Sequence, residues 1–374
     1  MELPSYFCDF LAEIRPQSYH VEDYKRGHTT LRDRLQKDAN LAQCIVSTFL
    51  QGSYRRATAI RPQGDNRADV DIVVVTKLSQ QEYTPSQALE AFVPFLNQHY
   101  KGKYRIQGRS IGIEMSHVDM DLVITAAPSK SEEGILESAS VTSEDTLEEV
   151  SDWRLTESWV PLVGRSRPGA ARLLEKAQKE PEWKTSPLYI PDREAHRWEP
   201  TDPLAQIKWT SAKNNSCNGH YVNVVKAIKW WWRLHPTASD YPKGYPVEHM
   251  VGFCCPDGIQ SVAEGVTRAL ETIVSNYRGE ATSKTTPFLP DHGVPEHNVF
   301  GRVSGEDFAA FYDKVSEAAE IARDALDESD LSKSVTLWQT LFENRFPDAP
   351  PDKGGDRGYT PRTDVSTVRG ARFA

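Results

Sequence analysis

Asp69 and Asp71 stand two positions apart at the head of a β-prone run, and a Gly52-Ser53 pair precedes them in QGSYRRATAIRPQGDNRADVDIVVV, residues 51–75. Side chains two apart on a strand point the same way, so the two carboxylates share one face at a sheet edge. Such a pair can hold magnesium against a triphosphate, although an Asp-x-Asp pair alone also suits a solvated strand end. The Gly-Ser pair favours the first account, because glycine lets the backbone approach a phosphate closely and the neighbouring amide and hydroxyl can donate to its oxygens.

A third carboxylate comes from HVDMDLVITAA, residues 117–127, which again places acids at the head of an apolar strand. Asp119 and Asp121 both fall on the same face there. Asp121 is the better candidate, being next to Leu122-Val123 and so more firmly anchored, which leaves Asp119 as an outer or solvent-facing acid. Magnesium takes oxygen ligands and keeps waters or substrate phosphates in its shell, so Asp69, Asp71 and Asp121 suffice for a pair of ions, with manganese as an alternative. Two ions can stabilise both the attacking and the departing oxygen of an in-line displacement at phosphorus.

Further along, Lys226, Lys229 and Arg233 fall at i, i+3 and i+7 of YVNVVKAIKWWWRL, residues 221–234, a cationic stripe able to neutralise a triphosphate. Trp230, Trp231 and Trp232 in the same run read as core. His249 with Cys254-Cys255 resembles part of a zinc site, but no nearby downstream Cys or His supplies a fourth ligand, so these residues too read as helix core.

The elements that must position these groups follow from periodicity. Residues 29–50 carry Leu31, Leu35, Leu41 and Ile45 at roughly helical spacing, which predicts a helix delivering the chain to the Gly-Ser turn. Residues 70–76 predict a central strand apolar on both faces. A helix over 86–99 and strands around 104–114 and 118–125 come next. Residues 128–153 are rich in Ser and Glu and residues 186–203 in Pro, and both read as long surface connections. Helices are predicted over 221–234, 262–277 and 308–326, the last with Ser304 as N-cap. The pattern stops after Arg345. Residues 346–374, rich in Pro, Gly and charge, read as a mobile tail.

With 374 residues the chain is long enough for two lobes. Its net charge of -9 and lack of a Lys/Arg block argue against a duplex-DNA clamp. Five scattered cysteines form no disulfide framework, no signal sequence is evident, and no run approaches about 18 apolar residues, so a cytoplasmic protein without a membrane span is expected.

At GSYRRATAIRP, ADVDIVVV and VDMDLVITAAP, and again at PDREAHRWEPTDPLAQIKWTSAKNN, VVKAIKWWWRLHP and KGYPVEHMVGF, the sequence resembles the bacterial CD-NTases, nucleotidyltransferases related to cyclic GMP-AMP synthase and oligoadenylate synthase. The resemblance implies an α+β fold in which a polymerase-β-like sheet lobe packs against a helical lobe, with the active site between them. It divides the chain into a nucleotidyltransferase core with N-terminal helices over 1–205, a helical lobe over 206–345 and a flexible tail over 346–374. By position, Asp69, Asp71 and Asp121 would bind two magnesium ions, while Gln51, Gly52 and Ser53 would hold the donor triphosphate. Lys229 stands at a phosphate-binding lysine and Tyr245 at an aromatic residue that stacks on a nucleobase. Gly244 occupies a position where several relatives carry serine.

The implied reaction joins ATP, with GTP as a second substrate, into a cyclic di- or trinucleotide and releases pyrophosphate. The style of KGYPVEH points to purine cyclic trinucleotides. The product would switch on a separate effector in anti-phage signalling, and the C-terminal tail would be open to a ubiquitin-transfer-like partner. A nucleotidyltransferase acting on RNA or protein, or an inactive nucleotide-binding scaffold, are the alternatives.

Overall fold

The computed structural model describes residues 1–64, 67–126, 188–239 and 241–350, so the expected connection over 128–153 and most of the expected tail lie outside the described residues. Two helices, α1 (Pro4–Ile14) and α2 (Ser18–Lys37), come first. The chain then turns where the Asp38 carboxylate accepts hydrogen bonds from the backbone of Asn40 (3.0 Å) and Leu41 (2.9 Å). It continues as a strand, β1 (Ile45–Gln51), rather than as the predicted helix. The β-branched residues Ile45, Val46 and Thr48 prefer the pleated conformation, and β1 pairs antiparallel with the next strand.

A short helical turn, α3 (Gly52–Arg55), follows, and then β2 (Ala68–Thr76). The predicted helix over 86–99 is two pieces, α4 (Pro85–Glu90) and α5 (Val93–His99). Pro94 occupies the first turn of the second, where its missing N–H costs nothing, so the break falls just before it. Strands β3 (Tyr104–Ile106), β4 (Ile111–Glu114) and β5 (Val118–Ile124) complete a sheet in the order β1-β2-β5-β4-β3. Within it β2 and β5 run parallel and the other pairs antiparallel.

Val70, Ile72 and Val74 face the cluster formed with α2, α4 and α5, while Val73 and Val75 face the opposite side with Leu188 and Leu204. Burial on both faces makes β2 the central support of the site. The Pro-rich stretch 186–203 forms a hairpin, β6 (Leu188–Asp192) and β7 (Arg197–Thr201), instead of a plain connection. Its turn is tied by Asp192 Oδ1 accepting from Ala195 N at 2.8 Å, and Ala126 bridges to Tyr189.

The remaining main elements are helices: α6 (Pro203–Ser216), α7 (Tyr221–Leu234), α8 (Gly244–Cys254), α9 (Val262–Asn276), α10 (Arg278–Ser283), α11 (Gly305–Asp327) and α12 (Leu331–Phe342), with an irregular stretch over 284–304 before α11. Ser304 caps α11 by accepting from Asp307 N. Trp230, Trp231 and Trp232 are buried in a large apolar cluster that also takes in Cys254, Cys255 and the Phe7 and Phe10 face of α1. No helix among the described residues is long and apolar enough to cross a membrane.

Candidate active site

The register of the sheet gathers the predicted acids. Across the parallel β2–β5 pair Asp69 faces Asp119 and Asp71 faces Asp121, and across β1–β2 Gln51 faces Asp71. Four carboxylates therefore share one sheet face in two rows. The outer row is partly neutralised, since Arg67 Nη1 lies 3.2 Å from Asp119 Oδ1 in an exposed ion pair. Asp121 sits one row deeper, level with Asp71.

Gly52 has a φ of +70°, and a β-carbon there would overlap Asp71 Oδ2. Only glycine accepts both the left-handed backbone and the carboxylate pressed against it. The chain then curls back, Thr58 N and Ala59 N donating to Ser53 O at 2.9 and 3.1 Å. That curl carries Arg56 and Thr58 to the helices.

Burial, joined at Asp69 and Asp121 by repulsion, marks the acids electrostatically. Loss of surrounding water, with Asp121, Asp71 and Asp119 nearby, pushes the Asp69 carboxyl up to about 7, although its side chain remains open to solvent. Burial and then the Asp71 charge push Asp121 up to about 6. Burial also raises Asp71, against the pull of Arg56 and Lys229. Carboxylates whose charge is disfavoured by burial and by one another form a donor set that suits a hard divalent cation. Their side chains share a face without closing on a common point, for no group of three or more His, Cys, Asp or Glu is clustered that way among the described residues.

Lys229 lies at the end of a buried network rather than in the open. Its Nζ donates to Thr58 O at 3.0 Å and stands 3.7 Å from Glu248 Oε2. Glu248 also accepts from Arg56 Nε (2.6 Å), Arg56 Nη2 (3.4 Å) and Thr58 Oγ1 (2.7 Å). Burial lowers the Lys229 ammonium to about 8, with Glu248 opposing the shift. Burial by itself raises Glu248, yet Arg56 and Lys229 outweigh it and hold the carboxyl below its ordinary range. The rest of the expected cationic stripe does other work: Arg233 donates to Arg61 O, and Lys226 is buried near Arg15. A β-carbon at Gly244 would lie 3.5 Å from Lys229 Cε, so a serine at this position fits without strain.

Tyr245 borders the same network. The Arg56 guanidinium lies 4.8 Å from its ring centroid, and its hydroxyl donates to Asp291 Oδ2 at 3.3 Å. A narrow pocket beside it is lined by Arg56, Trp209, His249 and His292. His249, a core residue of α8, donates from Nε2 to Pro290 O at 2.9 Å.

The family model for the Second Messenger Oligonucleotide or Dinucleotide Synthetase domain matches residues 1–137. Across 383 aligned residues, covering 100% of both chains, the protein is 47% identical to one from Enterobacter hormaechei subsp. hoffmannii named cyclic AMP-AMP-GMP synthase. The chain belongs to the CD-NTase family. A more distant relative of this CD-NTase, from Acinetobacter sp. and named cyclic AMP-AMP-AMP synthase, is 28% identical over 369 residues, 98% of this chain and 91% of that one. The structure of Escherichia coli MS115-1 CdnC with ATP superposes with a TM-score of 0.62 at 16% identity, covering 93% of this chain and 100% of that one, and so shares the fold. The CD-NTase thus has the expected α+β architecture and is a nucleotidyltransferase of the cyclic-oligonucleotide synthase type.

Sequence reasoning about this CD-NTase missed Arg56, Thr58 and Glu248. Both Arg56 and Glu248 lie inside quoted motifs, but 192 positions separate them, and no local periodicity reports a pairing over that distance.

Proposed function

We propose that this CD-NTase joins ATP and GTP in the cytoplasm into a cyclic trinucleotide of two adenylates and one guanylate, releasing pyrophosphate at each step. The observation that carries it is the register placing Asp71 level with Asp121 beside the Gly52 turn. The choice of product is supported by two relatives whose names share a three-purine ring.

Asp69, Asp71 and Asp121 hold two magnesium ions in this reading. When bound, the ions neutralise phosphate charge and favour the alkoxide form of the attacking hydroxyl. The chain's own residues do the positioning. Gln51, Gly52 and Ser53 fix the donor triphosphate through backbone and hydroxyl donors, and Lys229 adds positive charge where the Thr58 loop meets α7. Asp121 orients the attacking 3'-hydroxyl and accepts its proton. Alignment and charge compensation supply most of the rate. With a core over 1–205, a helical lobe over 206–345 and a tail over 346–374, the nucleotides would lie between the sheet and α7–α8 in this reading. The cyclic product activates a separate effector in anti-phage signalling, and the tail is the segment a ubiquitin-transfer-like partner would conjugate.

Tyr245 stacks the donor base, its ring held by Arg56 and Asp291. Tyr245→Ala is expected to raise KM for nucleotide roughly 10-fold, within the 1 to 3 kcal/mol of a base–aromatic contact, with a smaller change in kcat. Steady-state rates over a range of ATP concentrations measure it. Pyrophosphate release tests the reaction class: wild-type protein with ATP, GTP and magnesium should release it without added RNA or protein acceptor. A strict requirement for such an acceptor would refute the proposal.

A further inference from the structure

Asp121 belongs to a line of residues that crosses the whole sheet. Gln51, Asp71, Asp121, Gly112 and Arg105 are successive partners on β1, β2, β5, β4 and β3. Gly112 leaves a gap beside Asp121, and the Gln107 side chain fills it. Gln107 Nε2 donates to Asp121 Oδ1 at 3.4 Å, and a β-carbon at position 112 would stand only 2.6 Å from that nitrogen.

The amide has a fixed sense. Ser110 Oγ donates to Gln107 Oε1 at 2.9 Å, which leaves the NH2 group for the carboxylate. Gln107 N also donates to Ser110 O at 2.8 Å, so backbone and side chain are tied within one tight turn. The turn is clamped from outside by the β6–β7 hairpin. Arg193 N donates to Gly108 O at 2.9 Å, Arg109 Nε lies 2.7 Å from Asp192 Oδ2, and Arg109 Nη2 lies 2.6 Å from Glu199 Oε2. Both of those carboxylates are buried.

We infer that Gln107 is a positioning residue for Asp121, and that the β6–β7 hairpin is the brace that fixes it. The inference rests on the nucleotidyl-transfer reading of Asp121 given above. A neutral amide donor restrains one oxygen of the carboxylate without adding a charge that competes with a cation. Groups that orient a metal-binding side chain in this way typically change metal affinity or activity by about 10- to 100-fold when removed.

Full-length Gln107→Met, Gly112→Ala and Asp121→Asn variants test it together. Methionine keeps the length and packing of the side chain but has no amide, and alanine at 112 displaces Gln107 without altering it. Both are expected to lower kcat roughly 10-fold, with KM for ATP changed less than about twofold and an unchanged thermal midpoint, as loss of an orienting group predicts. Binding of Mn2+ to the nucleotide-free protein, followed by the electron paramagnetic resonance of the free ion, should weaken by a similar factor. Wild-type kcat and Mn2+ affinity in Gln107→Met, with Asp121→Asn inactive, would overturn the inference and leave the reaction assignment standing. A raised KM at constant kcat would also overturn it, because Gln107 would then touch nucleotide, as would a kcat loss matched by a lowered midpoint. Full activity in Asp121→Asn would instead overturn the role of Asp121 itself.

Discussion

Replacing Asp69 and Asp71 together with asparagine is expected to abolish nucleotide joining and, in the absence of divalent metal, to raise the melting temperature. The first effect follows from removing two of the three carboxylates proposed to hold magnesium. The second follows from the burial of both carboxylates, reinforced at Asp69 by the charges of Asp121 and Asp71. A carboxyl whose folded pKa exceeds its unfolded value binds a proton more readily in the folded chain, so the fold is favoured at acid pH and loses that advantage as pH rises through the folded pKa. For Asp69 that window runs from about 4, the unfolded value, to about 7. Metal-free wild-type protein should therefore lose stability between pH 4 and 7 relative to the variant, gaining it back when magnesium is added at pH 8. The variant should show neither response. Thermal scans at pH 4 and 8 with and without magnesium measure this, each kcal/mol appearing as a shift of about 1 to 2 °C for a chain of this length. A variant less stable than the wild type in metal-free buffer at pH 8 would contradict the electrostatic account.

Glu248→Gln is expected to destabilise the fold by roughly 3 to 5 kcal/mol, the usual cost of breaking a buried ion pair by removing one partner. Glu248 is 2% exposed, and its carboxylate receives Arg56, Thr58 and Lys229. Without its charge the buried Arg56 guanidinium loses its ion-pair partner, and Lys229, whose ammonium burial already disfavours, loses the pull of Glu248 that opposes that shift. The network also joins the chain just after the Gly-Ser turn to α7 and α8, so the donor site should loosen along with the fold. Urea unfolding of wild type and variant gives the first quantity, and KM for ATP the second. A loss below about 1 kcal/mol, the range of exposed pairs, would show that water reaches the network.

The acids were legible because strand periodicity is simple. Two-residue spacing puts Asp69 with Asp71, and an Asp preceding Leu122-Val123 repeats the device on a second strand, so only the pairing of the two strands remained to be established. Gly52 was legible for a related reason, as the conformational freedom of glycine hints at a close approach, here to Asp71. The misread elements fail in physically distinct ways. Leu31, Leu35, Leu41 and Ile45 continue a helical spacing across a turn held by the Asp38 carboxylate and by local backbone hydrogen bonds, and periodicity does not register such a turn. Residues 186–203 looked like a connection because of their prolines, yet Leu188, Tyr189 and Trp198 supply enough β-prone surface to form a hairpin docked beside Tyr83 and the sheet. Long-range partners left no local trace. Arg56 with Glu248 and Gln107 with Asp121 are contacts created by packing, and each residue alone looks like an ordinary polar position.

The most direct test of the central claim is the mass of the product made from ATP, GTP and magnesium, read after phosphatase treatment. A phosphatase-resistant species with the mass of a ring of two adenylates and one guanylate, absent with Asp69→Asn/Asp71→Asn protein, is the predicted result. Only phosphatase-sensitive linear products, or nucleotide recovered solely on an RNA or protein acceptor, would contradict it.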